Sequence, residues 1–362
     1  MTLAQHSPAY IRAISPYQPG KPITEVAREI GLPVESIVKL ASNENPLGMS
    51  PKARLAVTAA LTGVERYPDQ FDLTAALSER LGVGADRIVL GNGSNDVLDL
   101  VARAFLAPGR SAVFSCHAFA VYPLATMSAG AECLQVPAKD YGHDLAAMRA
   151  ALRPDTRVVW IANPNNPTGT FIPYPELKDF IAAVPADVIV VLDEAYNDYL
   201  APAVRADTVA WLREFPNLVI TRTFSNIYGL AGLRVGFALA SSEVADLMHR
   251  VRQPFNVGNL ALAGAIAALD DHAFMAESYD ANRRGMEQIL VGLKKLGRAH
   301  IPGEGNFVTF HAGAAASVNQ KLLQQGVIVR PLAGYAMPEH LRVTVGLESE
   351  NERFLAALAK AL

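Results

Sequence analysis

Gly91-Asn92-Gly93-Ser94-Asn95 follows one apolar run and opens a helical pattern. Glycines at a strand-to-helix turn leave backbone N–H groups free and the helix adds its positive end, so this segment has the chemistry of a phosphate cradle. Asp193 ends a second run, Val188-Ile189-Val190-Val191-Leu192, and so emerges at a strand's carboxyl end. A carboxylate there either serves a ligand or caps a following helix. Asn163-Pro164-Asn165-Asn166-Pro167-Thr168-Gly169 follows a third run; its Asn, Pro and Gly residues mark a turn at the same end of the chain's apolar segments.

The elements that must position these groups alternate. Apolar runs at 87–90, 112–115, 158–162, 188–192, 218–221 and 235–240 read as strands, and between several of them lie helical patterns such as Val97, Leu98, Val101 and Phe105 before the stop Ala107-Pro108-Gly109. That alternation predicts an α/β core with a mostly parallel sheet flanked by helices and a ligand site at the strands' carboxyl ends. After Gln253-Pro254 the texture changes to long helical patterns, including 274–296, then to strands near 307–310, 327–330 and 341–345 and a closing helix over 350–362. The expected division is an N-terminal arm over 1–45 joining a smaller α+β domain, a large domain over 46–270, and a connecting helix with the small domain over 271–362.

At 362 residues, 51% hydrophobic and 19% charged, the chain has the composition of an ordinary globular protein. A formal charge of -3 gives no electrostatic reason to expect nucleic acid or an anionic membrane as partner. Cys116 and Cys133 have neither metal-site spacing nor disulfide-scaffold density, which predicts reduced thiols in a cytoplasmic protein with no metal. No apolar stretch is long enough to span a bilayer.

Thr223-Phe224-Ser225-Asn226-Ile227-Tyr228-Gly229-Leu230-Ala231-Gly232-Leu233-Arg234 resembles the cofactor segment of the histidinol-phosphate aminotransferase family, fold-type I enzymes that use pyridoxal phosphate. The likeness extends through Pro16-Tyr17-Gln18-Pro19-Gly20-Lys21-Pro22, Leu40-Ala41-Ser42-Asn43-Glu44-Asn45-Pro46, the Asn163 to Gly169 turn, Asp193-Glu194-Ala195-Tyr196 and Leu341-Arg342-Val343-Thr344-Val345-Gly346, in the family's order. It departs mildly at Phe119, where tyrosine is common, and sharply at one other place. Asn226 stands where the family has its Schiff-base lysine, and an amide is neither nucleophilic nor basic enough to tether the cofactor or carry a proton.

The resemblance implies roles for the other residues. Asp193 would pair with the pyridine nitrogen, while Asn166 and Tyr196 would hydrogen-bond the ring oxygen. Gly93, Ser94, Asn95, Thr223 and Arg234 would hold the phosphate, with Tyr67 reaching the neighbouring subunit's cofactor in a homodimer with shared sites. Phe119 would stack on the ring. Arg342 would grip the substrate α-carboxylate under a segment containing Asn43, with Tyr17 and Arg330 at the substrate's far end. His117 reads as a packing or capping histidine. The implied activity is transfer of an amino group from histidinol phosphate to 2-oxoglutarate, the cofactor passing through pyridoxamine phosphate, within histidine biosynthesis. An aromatic amino acid aminotransferase, or a protein that holds the cofactor without turnover, are the alternatives, and Asn226 predicts a chain impaired in catalysis.

Overall fold

The computed structural model describes residues 3–17 and 20–362, so Gln18 and Pro19 of the first family segment lie outside the described residues. Among the described residues twelve strands occur: β1 (Val38–Lys39), β2 (Ile88–Gly91), β3 (Ser111–Ser115), β4 (Glu132–Val136), β5 (Thr156–Ala162), β6 (Ile189–Asp193), β7 (Leu218–Thr223), β8 (Gly236–Leu239), β9 (Phe307–His311), β10 (Val327–Ile328), β11 (Arg330–Pro331) and β12 (His340–Thr344). Seven of them form one sheet in the order β2-β8-β7-β6-β5-β3-β4. β8 runs antiparallel to both of its neighbours, and the remaining pairs are parallel.

Strands buried on both faces explain the near-continuous apolar runs of the sequence. Val159, Ile161, Val190 and Leu192 face one core, whereas Val158, Trp160, Ile189 and Val191 face the other. The helix Ser94–Phe105 covers the second face with Val97, Leu98 and Val101. Asp193 is the last residue of β6, which puts its carboxylate at the sheet's carboxyl edge as the sequence predicts.

A three-stranded sheet, β11-β12-β9, packs under the helices His272–Lys295, Ala315–Gln324 and Glu348–Ala361. Leu40 belongs to this unit's core, and β1 pairs in parallel with β10, so the chain's N-terminal part packs against its C-terminal part. Among the described residues no helix is long and apolar enough to cross a membrane.

Two expectations differ from the structure. β4 has no counterpart among the predicted strands because it is an edge strand whose Glu132 and Gln135 are exposed and only Val136 is fully buried. The single strand expected over 327–330 is two: β10 joins β1, and beyond Val329 the chain turns to pair β11 with β12. This break matters for function, since it sets Arg330 directly opposite Arg342.

Candidate active site

The carboxyl ends of β5, β6 and β7, the β11–β12 edge and the segment around Asn43 enclose a cavity of about 420 Å³. At one end lie Ser94, Asn95, Thr223, Ser225 and Arg234. Gly93, with φ +83°, precedes the helix and gives it no side-chain cap, which leaves first-turn N–H groups to the cavity. A Cβ on Gly93 would sit 2.3 Å from Arg234 Nη2, and one on Gly236 would sit 2.5 Å from the Ser94 nitrogen. The positive φ of Gly93 and the backbone packed against Gly236 are what favour glycine at these two positions. Arg234 Nη1 donates to the Ala231 carbonyl at 3.0 Å, and Thr223 Oγ1 accepts from the Ser225 N–H at 3.0 Å. Arg234 and Asn43 both hold left-handed backbone, with φ 54° and 55°. Such strain in non-glycine residues concentrates at functional sites.

Asp193 forms the floor, 4% exposed. Its Oδ2 accepts from the Tyr122 hydroxyl at 2.9 Å, and its Oδ1 from the Thr221 hydroxyl at 3.1 Å and the Ala195 N–H at 3.3 Å. Burial raises its pKa above the usual carboxylate value against the pull of these hydrogen bonds. A buried carboxylate that forms no ion pair among the described residues fits a cationic nitrogen brought by a ligand. In the cofactor-free chain, stability should fall as pH rises from the ordinary carboxylate range through the raised value, because there the folded chain keeps a proton that the unfolded chain has released. Asp193→Asn is therefore expected to flatten that slope and raise Tm at neutral pH while weakening cofactor binding, measured by calorimetry with and without pyridoxal phosphate. A lower Tm together with unchanged binding would remove Asp193 from the site.

Tyr196 is buried, and its hydroxyl oxygen receives Asn43 Nδ2 at 2.7 Å and Asn166 Nδ2 at 3.3 Å. Burial pushes its pKa up to about 12, so the phenol keeps its proton and, with two donors already on its oxygen, can offer it to a ligand. Phe119 lines the cavity wall and meets Tyr122 edge-on at 5.9 Å.

Arg342 is 5% exposed; it donates to Asn166 Oδ1 and to the Ala41 carbonyl, and its Nε has no partner. Burial lowers its pKa. No carboxylate among the described residues forms an ion pair with it, so the guanidinium is built to receive an anion from outside the chain. Arg330 lies beside it, with Nη2 3.3 Å from the Tyr17 hydroxyl and the guanidinium 5.4 Å from that ring's centroid. Both line the same cavity.

Asn226 lines the cavity too, and its Nδ2 donates to the Asn43 carbonyl at 2.8 Å. No lysine lines the cavity among the described residues. Tyr67 is the expected site residue that the fold leaves outside: it is 81% exposed and stacked on Phe255 at 4.5 Å. His117 hydrogen-bonds the Tyr335 carbonyl at 2.7 Å, in keeping with a packing role. Ser225, Tyr335 and the Asp193 partners Tyr122 and Thr221 join the site without having been singled out in the sequence. Ser225 could have been found from its place between Thr223 and Asn226, whereas Tyr122 looks like any apolar helical residue.

A glycine-held helix end beside Arg234, a buried carboxylate floor and a buried arginine surround one cavity at the sheet's carboxyl edge, in a fold-type I arrangement of a mostly parallel sheet flanked by helices. The chain belongs to the aminotransferase class I and II family, whose model matches residues 35–358. It is 73% identical over 362 residues to histidinol-phosphate aminotransferase 1 of Dechloromonas aromatica, covering 100% of both chains. It is 61% identical to histidinol-phosphate aminotransferase 2 of Nitrosospira multiformis, covering 100% of this chain and 93% of that one. Among solved structures, the histidinol-phosphate aminotransferase of Sinorhizobium meliloti in complex with pyridoxal-5'-phosphate superposes with a TM-score of 0.88 at 26% identity, covering 98% of this chain and 96% of that one. The family's reaction takes an amino-group donor and a keto acid, and its cofactor is pyridoxal phosphate.

Proposed function

We propose that this chain is a histidinol-phosphate aminotransferase scaffold, with 2-oxoglutarate as amino acceptor and a place in histidine biosynthesis, and that Asn226 leaves it impaired in turnover. The observation that carries the substrate assignment is the register pairing of Arg330 with Arg342, two guanidiniums side by side at one end of the cavity. Histidinol phosphate carries a dianionic phosphate and 2-oxoglutarate carries two carboxylates, so a doubled cation suits both. An amino acid with an apolar aromatic side chain would bring a single anion to a site with two cations.

Pyridoxal phosphate, when bound, supplies an aldehyde that condenses with a primary amine and a ring that takes up electron density from the substrate α-carbon. The residues fit it: Ser94, Asn95, Thr223 and Arg234 would hold the phosphate, Asp193 the ring nitrogen, Asn166 and Tyr196 the ring oxygen, and Phe119 one ring face. Arg342 orients the anionic end of the substrate. The proton transfer at the α-carbon needs a base at position 226, and an amide provides none.

A homodimer with shared sites is supported by Gly232, which lines both the cavity and the shallow groove containing Tyr67 and Val64. Val64 and Tyr67 in that groove are exposed apolar and aromatic groups, and Leu55, Leu61 and Phe71 on neighbouring stretches of chain are exposed as well, which suits a second copy. Separate cores support the division at about residues 45 and 270. The free Cys116 and Cys133 suit a reducing cytoplasm.

In a chain carrying lysine at 226, Arg330→Ala is expected to reduce kcat/KM for histidinol phosphate about 10–100-fold more than for phenylalanine, the range lost with a hydrogen bond to a charged group. Equal losses on the two substrates would show that Arg330 does not read the phosphate, and would favour the aromatic amino acid reading.

A further inference from the structure

Asn226 is nine-tenths buried, and the group that its side chain meets fixes which way its amide points. The Asn43 carbonyl can only accept, so the atom 2.8 Å from it is the amide nitrogen rather than the oxygen. That carbonyl also takes Asn306 Nδ2 at 2.9 Å; Asn43 Nδ2 donates to the Tyr196 hydroxyl, its Oδ1 accepts from the Thr344 hydroxyl, and its backbone N–H donates to that same hydroxyl. Asn226 is thus latched to a residue that is itself held at four points. Asn226 Oδ1 receives no donor from any described residue and is left as an acceptor on the cavity wall.

The ligand's own geometry says what faces this acceptor. With its ring nitrogen at Asp193, the substituent para to that nitrogen points away from the carboxylate, between the phosphate arm and the ring hydroxyl. Asn226 spans that interval: it follows Ser225 of the phosphate end, and through Asn43 it reaches the Tyr196 hydroxyl. We propose that Asn226 makes the cavity select the amine form of the cofactor, pyridoxamine 5'-phosphate, over the aldehyde. This rests on reading the cavity as the cofactor site. The amine can fill Oδ1 with an N–H, whereas the aldehyde oxygen has only lone pairs and can at most take the amide's second N–H, leaving Oδ1 unfilled. A lysine at this position has the opposite preference, since it captures the aldehyde covalently.

The test is calorimetric titration of the full chain with pyridoxamine 5'-phosphate and, separately, with pyridoxal 5'-phosphate, without substrate. The amine is expected to bind at least about tenfold tighter, the lower end for a charge-assisted hydrogen bond. Asn226→Leu, close in size but without either polar atom, is expected to bring the two affinities within about threefold, while Asn226→Asp widens the preference. Equal affinities in the unaltered chain, or a tighter aldehyde, overturn the proposal, as does a folded Asn226→Leu that keeps the full preference. If circular dichroism shows that the leucine variant does not fold, the aspartate variant decides, and a preference no wider than that of the unaltered chain counts against it. Binding of neither ligand overturns the cofactor reading and the proposal with it, a result distinct from equal binding of both.

Discussion

Asn226→Lys is expected to raise the rate of transamination from histidinol phosphate to 2-oxoglutarate by at least about 10²–10⁴-fold, the contribution of one positioned general base. The gain should exceed that range, because the lysine also restores the covalent hold on the cofactor. The other groups proposed for the reaction, Asp193, Arg234, Arg342 and Arg330, line the same cavity as Asn226. The change has a local cost, since it removes the hydrogen bond from Asn226 to the Asn43 carbonyl, but Asn306 still donates to that oxygen. A lysine variant that folds and binds cofactor yet turns over no amine would leave the chain as a cofactor-holding protein, the reading that Asn226 itself favours.

The second large effect is expected at Arg342. In the lysine-bearing background Arg342→Ala should cut kcat/KM by roughly 30- to 4,000-fold, since losing one partner of a buried hydrogen-bonded charge pair costs about 2–5 kcal/mol. The same substitution should leave the substrate-free protein as stable or more so, because the buried guanidinium has an unpartnered Nε and no carboxylate to offset its desolvation. Opposite movements of activity and Tm identify a residue held for an anion. A large fall in Tm with only a small fall in kcat/KM would make Arg342 a structural arginine.

The α/β core was legible in the sequence because strands buried on both faces leave unbroken apolar runs, as in Val188 to Leu192, and because Asp193 follows such a run directly. The glycine-rich turn at the helix start was legible for a related reason: position 93 holds a positive φ that favours glycine, and glycine is visible in a sequence. β4 was not, since an edge strand needs no apolar pattern. The pairing of Arg330 with Arg342 was hidden as well, because it depends on how β10 and β11 part company at Val329. Tyr122 and Thr221 hold Asp193 from elements distant in the chain, a relation that no local pattern carries. Roles at Asn43, Arg342 and Tyr67 came from family resemblance rather than from the residues alone. The fold brings the first two to the cavity and leaves Tyr67 on the surface where a partner could present it.

The central claim is that the cavity is a complete pyridoxal-phosphate site apart from its covalent tether at position 226. Its most direct test is to load the unaltered chain and its Asn226→Lys variant with pyridoxal phosphate, treat each with borohydride, dialyse, and locate any retained cofactor by peptide mass spectrometry. Both chains should bind the cofactor before treatment, dialysis should strip it from the unaltered chain, and the variant should keep it on residue 226. Cofactor fixed at residue 226 of the unaltered chain, or failure of either folded chain to bind it at all, would rule out an untethered pyridoxal-phosphate site.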